Sequence, residues 1–385
     1  MRRIVLLVTI VLTLTAVACH MPKKASSTDL AGRNDSPFID SVCLYRPGDY
    51  GSANWRIPAI ICLDDGTILA INDKRKYNEN DLPEDIDIVC RRSTDNGVSW
   101  SKPQTIVEGS GYKHGYGDPA VVQCQNGDVL CLFVGGNGLW ASTEADPQRS
   151  YVCRSTDNGM TWSEPEDITS LLWGSHAQNT SCHNYKSSFF ASGNGLRLKR
   201  GPNAGRIMFA AAMCRKNANI LDNFVVYSDD NGHTWQVSDM ALSAGDEAKL
   251  MELTDGSVLI SVRQSGARGH NLSIDGGQTW GQQGYWNEMT TNACNGDMLR
   301  LDDSTILHSI PNSMQREDVS IFTSNDEGLS WHNHVLVTPG PSAYSSMTLL
   351  KDGTIGLYVE RNASGAYELW FYRLHPSLVS AISSY

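Results

Sequence analysis

From about residue 37 onward the chain alternates short apolar runs with polar clusters. TILAIN, VVQCQNGDVLCLFVGG, SVLISVRQSG and GTIGLYVE set the texture. Such runs are rich in β-branched residues and bounded by Gly, Asn and Asp. That pattern predicts many short antiparallel strands. Helical periodicity is scarce. No Gly/Ser-rich or Pro-rich linker interrupts residues 37–385, so one all-β domain is expected there.

One eight-residue pattern, Ser-x-Asp-x-Gly-x-(Ser/Thr)-Trp, returns along these strands. Its copies are STDNGVSW, STDNGMTW, SDDNGHTW, SIDGGQTW and SNDEGLSW, starting at Ser93, Ser155, Ser228, Ser273 and Ser324. The starts lie 62, 73, 45 and 51 residues apart, the spacing of repeated supersecondary units such as propeller blades. Asp and Ser oxygens can bond nearby backbone N–H groups, and Gly supplies a left-handed position. The closing Trp gives each turn an apolar anchor. Most copies follow a strand-like run: IDIVCRR, SYVCR, NFVVY and VSIFT. The boxes are therefore expected to be structural turns rather than catalytic elements.

Residues 1–18 change the picture at one end only. Two arginines, an apolar stretch from Ile4 to about Val17, and small residues before Cys19 form an export signal. The stretch is short for a membrane span. Ala16-Val17-Ala18-Cys19 resembles a lipoprotein cleavage box, with Ala where Leu is usual. Lipidated Cys19 and ordinary signal cleavage are the two outcomes it leaves open. Residues 19–36 read as a polar tether. The expected location is outside the cytoplasm: periplasmic, cell-surface or secreted.

The net charge of −11 argues against a nucleic-acid partner, because phosphate binding needs a basic face. Any anion site must instead be built from locally placed arginines. Apart from Cys19, nine cysteines remain, most in apolar runs such as those of Cys62, Cys90, Cys131, Cys153 and Cys214. None has metal-site spacing, and most are expected to be small buried residues. An oxidising compartment would permit one or two disulfides.

Candidate chemistry clusters at strand ends. Arg56 precedes Ile-Pro and a strand in NWRIPAI. Arg75 and Asp81 lie in AINDKRKYNENDLPEDID, and Asp118 in YGDPAVV. Glu247 sits in a Gly/Asp turn, Arg263 ends VLISV, Arg316 and Tyr344 precede strands, and Glu360 ends GTIGLYVE. Taken singly, each has a bland reading as a salt bridge or a solvated loop.

Together, the five boxes, the Arg-Ile-Pro motif and this order of Arg, Asp, Glu, Arg, Arg and Tyr resemble the bacterial sialidases that retain anomeric configuration. The resemblance covers about residues 37–385. It implies a six-bladed β-propeller of four-stranded antiparallel sheets, one of them completed by strands from both termini, with YELWFYRL contributing. It implies that Arg56, Arg263 and Arg316 grip the substrate carboxylate, and that Arg75 meets the sugar's 4-hydroxyl side. Asp81, twelve residues before the first box, resembles the general acid/base, with Asp85 and Asp87 as alternatives. Asp118 resembles the residue facing the N-acetyl nitrogen. Tyr344 resembles the nucleophile, Glu247 its base, and Glu360 the carboxylate that fixes Arg56. Trp140, in NGLWAS, fits either an N-acetyl pocket or a packing role. Asp246 departs from the Asn that often precedes this Glu, a change that would alter the local pKa values.

These residue types suit the implied chemistry. Three guanidiniums can hold a carboxylate and stay charged when crowded. A neutral phenol avoids the repulsion that a carboxylate nucleophile would meet beside the substrate carboxylate, and sialidases are known to use Tyr. With an ordinary pKa of about 10 it needs a base. The scheme requires no metal or organic cofactor. The implied partners are sialylated glycoproteins, glycolipids or oligosaccharides, a membrane is met only through a lipidated N-terminus, and a monomer is expected. Trans-sialidase activity, intramolecular or otherwise, and a non-catalytic sialoglycan-binding propeller are the alternatives to hydrolysis.

Overall fold

The computed structural model describes residues 38–292, 294–362 and 365–380. The expected export signal, Cys19 and the tether lie outside the described residues. The all-β expectation holds: the described residues form a succession of largely antiparallel sheets with two four-residue α-helices among them.

Four strands, Asn54–Cys62, Ile68–Arg75, Ile86–Ser93 and Gln104–Val107, form the first sheet. Tyr116–Gln123, Val129–Gly136, Gln148–Ser155 and Glu166–Asp167 begin the second, with Gly193–Asn194 added in parallel on its inner edge. The third is built on Tyr185–Phe190, Ile207–Arg215, Leu221–Ser228 and Gln236–Val237. Ala248–Glu252, Val258–Val262, Ser265–Ser273 and Gly284–Asn292 make the fourth. The last sheet has seven strands because one strand, His332–Leu349, serves two groups. Its first half pairs with Glu317–Ser324, which continues to Thr305–Pro311 and Asp297–Asp302. Its second half pairs with Ile355–Asn362, then Tyr367–Leu374, then the N-terminal strand Phe38–Tyr45. The C-terminal run YELWFYRL is thus joined to the start of the described chain.

The boxes are turns, as their chemistry predicts. In the first, Gly97 N donates to Ser93 Oγ at 2.9 Å, and Ser99 N and Oγ donate to the two Asp95 oxygens at 2.9 and 2.6 Å. These bonds, Ser99's first among them, hold the Asp95 carboxyl down at about 2. The other four boxes repeat the Ser–Asp and Ser–Gly bonds. Each box also seats on the sheet before it. A methyl group added at Gly97, Gly159, Gly232, Gly277 or Gly328 would meet Phe371, Leu69, Leu130, Met208 or Leu259 within 2.9 Å. The first box contacts the last sheet, so the order of contacts is circular. The five tryptophans pack into five separate core clusters.

Gly97→Ala is therefore expected to destabilise the fold by about 2–4 kcal/mol. It combines a left-handed φ of 82° with a 2.2 Å clash against the Phe371 ring. Gly340→Ala, at φ 78° but with nothing within 4 Å, should cost only about 1 kcal/mol. Chemical denaturation of the two variants checks the difference.

The nine described cysteines are free, seven of them buried and two half-buried. The apolar reading therefore holds, and no disulfide occurs among the described residues.

Candidate active site

Three β-bulges aim the site. A bulge gives one strand an extra residue and turns a side chain away from the pleat. The first lies between Arg56 and Ala59, the second between Gly117 and Ala120, and the third between Ser342 and Ser345. They carry Arg56, Asp118 and Tyr344. In the first two, the residue ahead of a proline is left-handed: Ile57 at φ 62° and Asp118 at φ 59°. A β-branched residue there is strained, and such strain persists only where surrounding contacts enforce it. The enforcing contact at Ile57 is a hydrogen bond from its backbone N to Glu360 Oε1, 2.8 Å long.

Glu360 organises one side of the site. It is fully buried and receives Arg56 Nε at 2.6 Å and Nη2 at 3.1 Å, a two-pronged ion pair. It also accepts the backbone N of Tyr344 at 3.2 Å. Burial alone would favour a neutral Arg56, but Glu360 overrides it and keeps the guanidinium charged. The Arg56 guanidinium lies 4.6 Å from the Tyr367 ring centroid and 5.6 Å from that of Tyr344.

Tyr344 meets two partners at its hydroxyl. The phenol donates to Glu247 Oε2 at 2.8 Å, while Arg263 Nη1 donates to the phenol oxygen at 2.8 Å and to Glu247 Oε2 at 2.6 Å. Burial, then the Glu247 carboxylate, push the phenol well above its ordinary pKa, although Arg263 and Arg316 oppose them. The resting phenol is thus protonated and hydrogen-bonded to a carboxylate, an arrangement that suits concerted proton loss during attack. The Arg316 guanidinium stands 5.4 Å from the centroid of the same ring. No carboxylate pairs with it among the described residues, leaving a cation open to an anion.

The turn bearing Glu247 is tightly specified. Ala244 is left-handed at φ 56°, and a side chain at Gly245 would collide with Asn223 and Val262. Asp246 N donates to Arg263 O, and Arg263 N donates back to Glu247 O. The backbone therefore locks Asp246, Glu247 and Arg263 into one unit.

Arg75 anchors the opposite side. It is fully buried and donates from Nη2 to Asp73 at 3.0 Å and to Asp81 at 2.6 Å. Its Nη1 reaches the carbonyl of Glu79, tying down the loop that carries Asp81. Desolvation works to raise the Asp81 pKa, but Arg75 and then Arg56 win and hold the carboxyl below its ordinary value. Asp81 is thus ionised in the ligand-free site. Asp85 and Asp87 are engaged elsewhere: both pair with Lys76, and Asp87 also with Lys74. Asp118 lies beside Asp73, whose Oδ1 accepts its backbone N at 3.1 Å. Burial and the neighbouring carboxylates of Asp73 and Asp81 push Asp118 well up. Trp140 is half exposed, which counts against the packing role, and it lines a cavity of about 590 Å³ next to Arg263.

Eight of the nine candidates fall at strand ends or bulges and Asp81 lies in the loop after Arg75; the contacts above link eight of the nine into two groups. Arg56, Glu360, Tyr344, Glu247, Arg263 and Arg316 form one, and Arg75 with Asp81 the other; Asp118 joins the second through Asp73. Sequence reasoning missed Asp73, the buried partner shared by Arg75 and Asp118. It also missed Tyr367 under Arg56. Asp73 could have been found, because it stands two residues before Arg75 on the same face of a strand.

A model described as a BNR repeat-like domain matches residues 78–357, more than half of the chain. The chain belongs to this family. Its relatives include sialidases, so the resemblance to bacterial sialidases holds. It is 31% identical to a sialidase of Micromonospora viridifaciens over 91% of this chain and 56% of that one. It is 25% identical to a Bacteroides fragilis sialidase over 89% of this chain and 66% of the relative. The chain thus spans less than two thirds of these two proteins, whereas it spans 89% of a Clostridium perfringens sialidase at 26% identity. Among solved structures, a Hadza microbial sialidase matches with a TM-score of 0.77 at 25% identity, covering 88% of this BNR-repeat chain and 68% of that one. The fold is also shared with an intramolecular trans-sialidase from Ruminococcus gnavus, at a TM-score of 0.74 and 19% identity over 89% of this chain and 99% of that one.

Proposed function

We propose that the protein is an exo-α-sialidase that hydrolyses terminal sialic acid from glycoproteins, glycolipids or oligosaccharides with retention of configuration. The observation that carries this reading is the three-way contact of Tyr344, Glu247 and Arg263 beside two further arginines, Arg56 and Arg316. The arginines receive the substrate carboxylate. Tyr344 attacks the anomeric carbon as Glu247 takes its proton, giving a tyrosyl-enzyme intermediate. Asp81 protonates the leaving oxygen and later deprotonates water. Asp118 faces the N-acetyl group, Arg75 holds Asp81 and the 4-hydroxyl side, and Glu360 holds Arg56.

The substrate itself primes the acid. An ionised Asp81 cannot donate a proton. A carboxylate on the three arginines offsets the Arg56 and Arg316 part of the positive field at Asp81, leaving the Arg75 part, so its pKa rises on binding.

The reading includes a six-bladed propeller. Its support is the circular order of box contacts, with the seven-stranded sheet counted as two blades sharing one strand. It also includes export, with Cys19 lipidated or the signal cleaved nearby, and a monomer.

The test is release of 4-methylumbelliferone from its N-acetylneuraminic acid α-glycoside, followed in parallel by proton NMR. The expected result is turnover in which the α-anomer of free sialic acid appears before mutarotation. Folded protein that releases no fluorophore, or a β-first product, would sink the proposal.

A further inference from the structure

Asp246 is a charged neighbour of the catalytic unit that the mechanism above leaves without a task. Its Oδ1 accepts the backbone N of Glu247 at 2.9 Å. Its Oδ2 lies 3.5 Å from Arg263 Nε, a buried nitrogen that makes no hydrogen bond. Arg263 Nη1 is committed to Glu247 and Tyr344, so Nη2 is the edge left for an incoming carboxylate. One third of the Asp246 side chain is exposed, and it faces the 590 Å³ cavity shared with Trp140, Gln264 and Tyr285. Within that lining only Asp246 and Arg263 carry charge. The carboxylate therefore stands beside the path of an anionic substrate and competes for the same guanidinium.

Resting on the sialidase reading, we propose that Asp246 is a specificity-determining residue that sets how tightly Arg263 holds the substrate carboxylate, weakening it when ionised and releasing Arg263 when protonated. The charged groups facing it are Arg263 just after the strand Val258–Val262, Glu247 next to it in sequence, and Arg316 just before the strand Glu317–Ser324. Burial raises its carboxyl to about 6, with Arg263 and Arg316 opposing and Glu247 assisting. The sign follows. Below that value Asp246 is neutral and the arginines present their full charge. Above it Asp246 is an anion close to the docking position, and affinity falls. A bound sialoside carboxylate raises the Asp246 pKa further, so binding near neutrality takes up a proton.

Asp246→Asn isolates the charge, because the amide oxygen can still accept the Glu247 N–H. KM for the methylumbelliferyl sialoside should rise about fivefold in the wild type between pH 5 and pH 7.5, and the variant should lose most of that rise while its kcat profile keeps its shape. A second readout is calorimetric binding of 2-deoxy-2,3-didehydro-N-acetylneuraminic acid in two buffers of different ionisation enthalpy. The variant should show less proton uptake than the wild type at pH 7. Asp246→Ser provides the same charge removal if the Asn protein folds poorly. Equal pH dependence of KM and equal proton uptake in wild type and variant overturn the proposal. Wild-type protein that neither cleaves nor binds sialosides overturns the sialidase reading beneath it, a result separable from the first.

Discussion

Tyr344→Phe should fold normally and lose about a thousandfold or more in kcat. The hydroxyl contributes two hydrogen bonds in the resting site, to Glu247 and from Arg263. Those two groups remain paired with each other at 2.6 Å, so no buried charge is orphaned. The aromatic ring keeps its contacts with Arg56 and Arg316. Stability should therefore change by only about 1 kcal/mol, while the attacking atom is gone. Thermal unfolding and steady-state kinetics of the same preparation separate the two effects. A variant retaining a tenth of wild-type kcat would rule out Tyr344 as the nucleophile.

Glu360→Ala should damage both stability and activity. Glu360 accepts four donors: two from Arg56 and the backbone N–H groups of Ile57 and Tyr344. Its loss leaves a buried guanidinium uncompensated, a change that costs about 3–5 kcal/mol. It also removes the bond that holds Ile57 left-handed and the one that positions the Tyr344 backbone. Activity should fall about a hundredfold or more through misplacement alone. Glu360→Gln keeps an acceptor but turns a donor toward the guanidinium, and should fall between. Denaturant unfolding with matched kinetics tests the ordering. Wild-type stability in the alanine variant would mean that Arg56 finds its own compensation.

Much of the architecture was legible because it is local and periodic. The boxes announce their turns through side-chain-to-backbone bonds within five residues, and the apolar runs announce strands. The site residues were legible as types at strand ends. What the sequence could not show was their aim. The bulges at Arg56, Asp118 and Tyr344 arise where each strand slips against the next strand in the chain, and the alternation of apolar and polar residues does not mark the slip. The pairing of one long strand with two sheet groups was hidden for the same reason. The protonation balance at Asp81 was also out of reach. It depends on three arginines, two of which, Arg56 and Arg316, lie far from Asp81 in the chain.

The join between Phe38–Tyr45 and Tyr367–Leu374 bears on how the protein comes to life during synthesis. The strand Phe38–Tyr45 leaves the ribosome long before its partner Tyr367–Leu374. Arg56 likewise waits for a carboxylate 304 residues downstream. Early sheets can form as they appear, but Arg56, Tyr344 and Glu360 meet only after the chain has been made past Glu360. A nascent or truncated chain therefore carries sheets without a working site, and the first appearance of activity would report that the ring has shut.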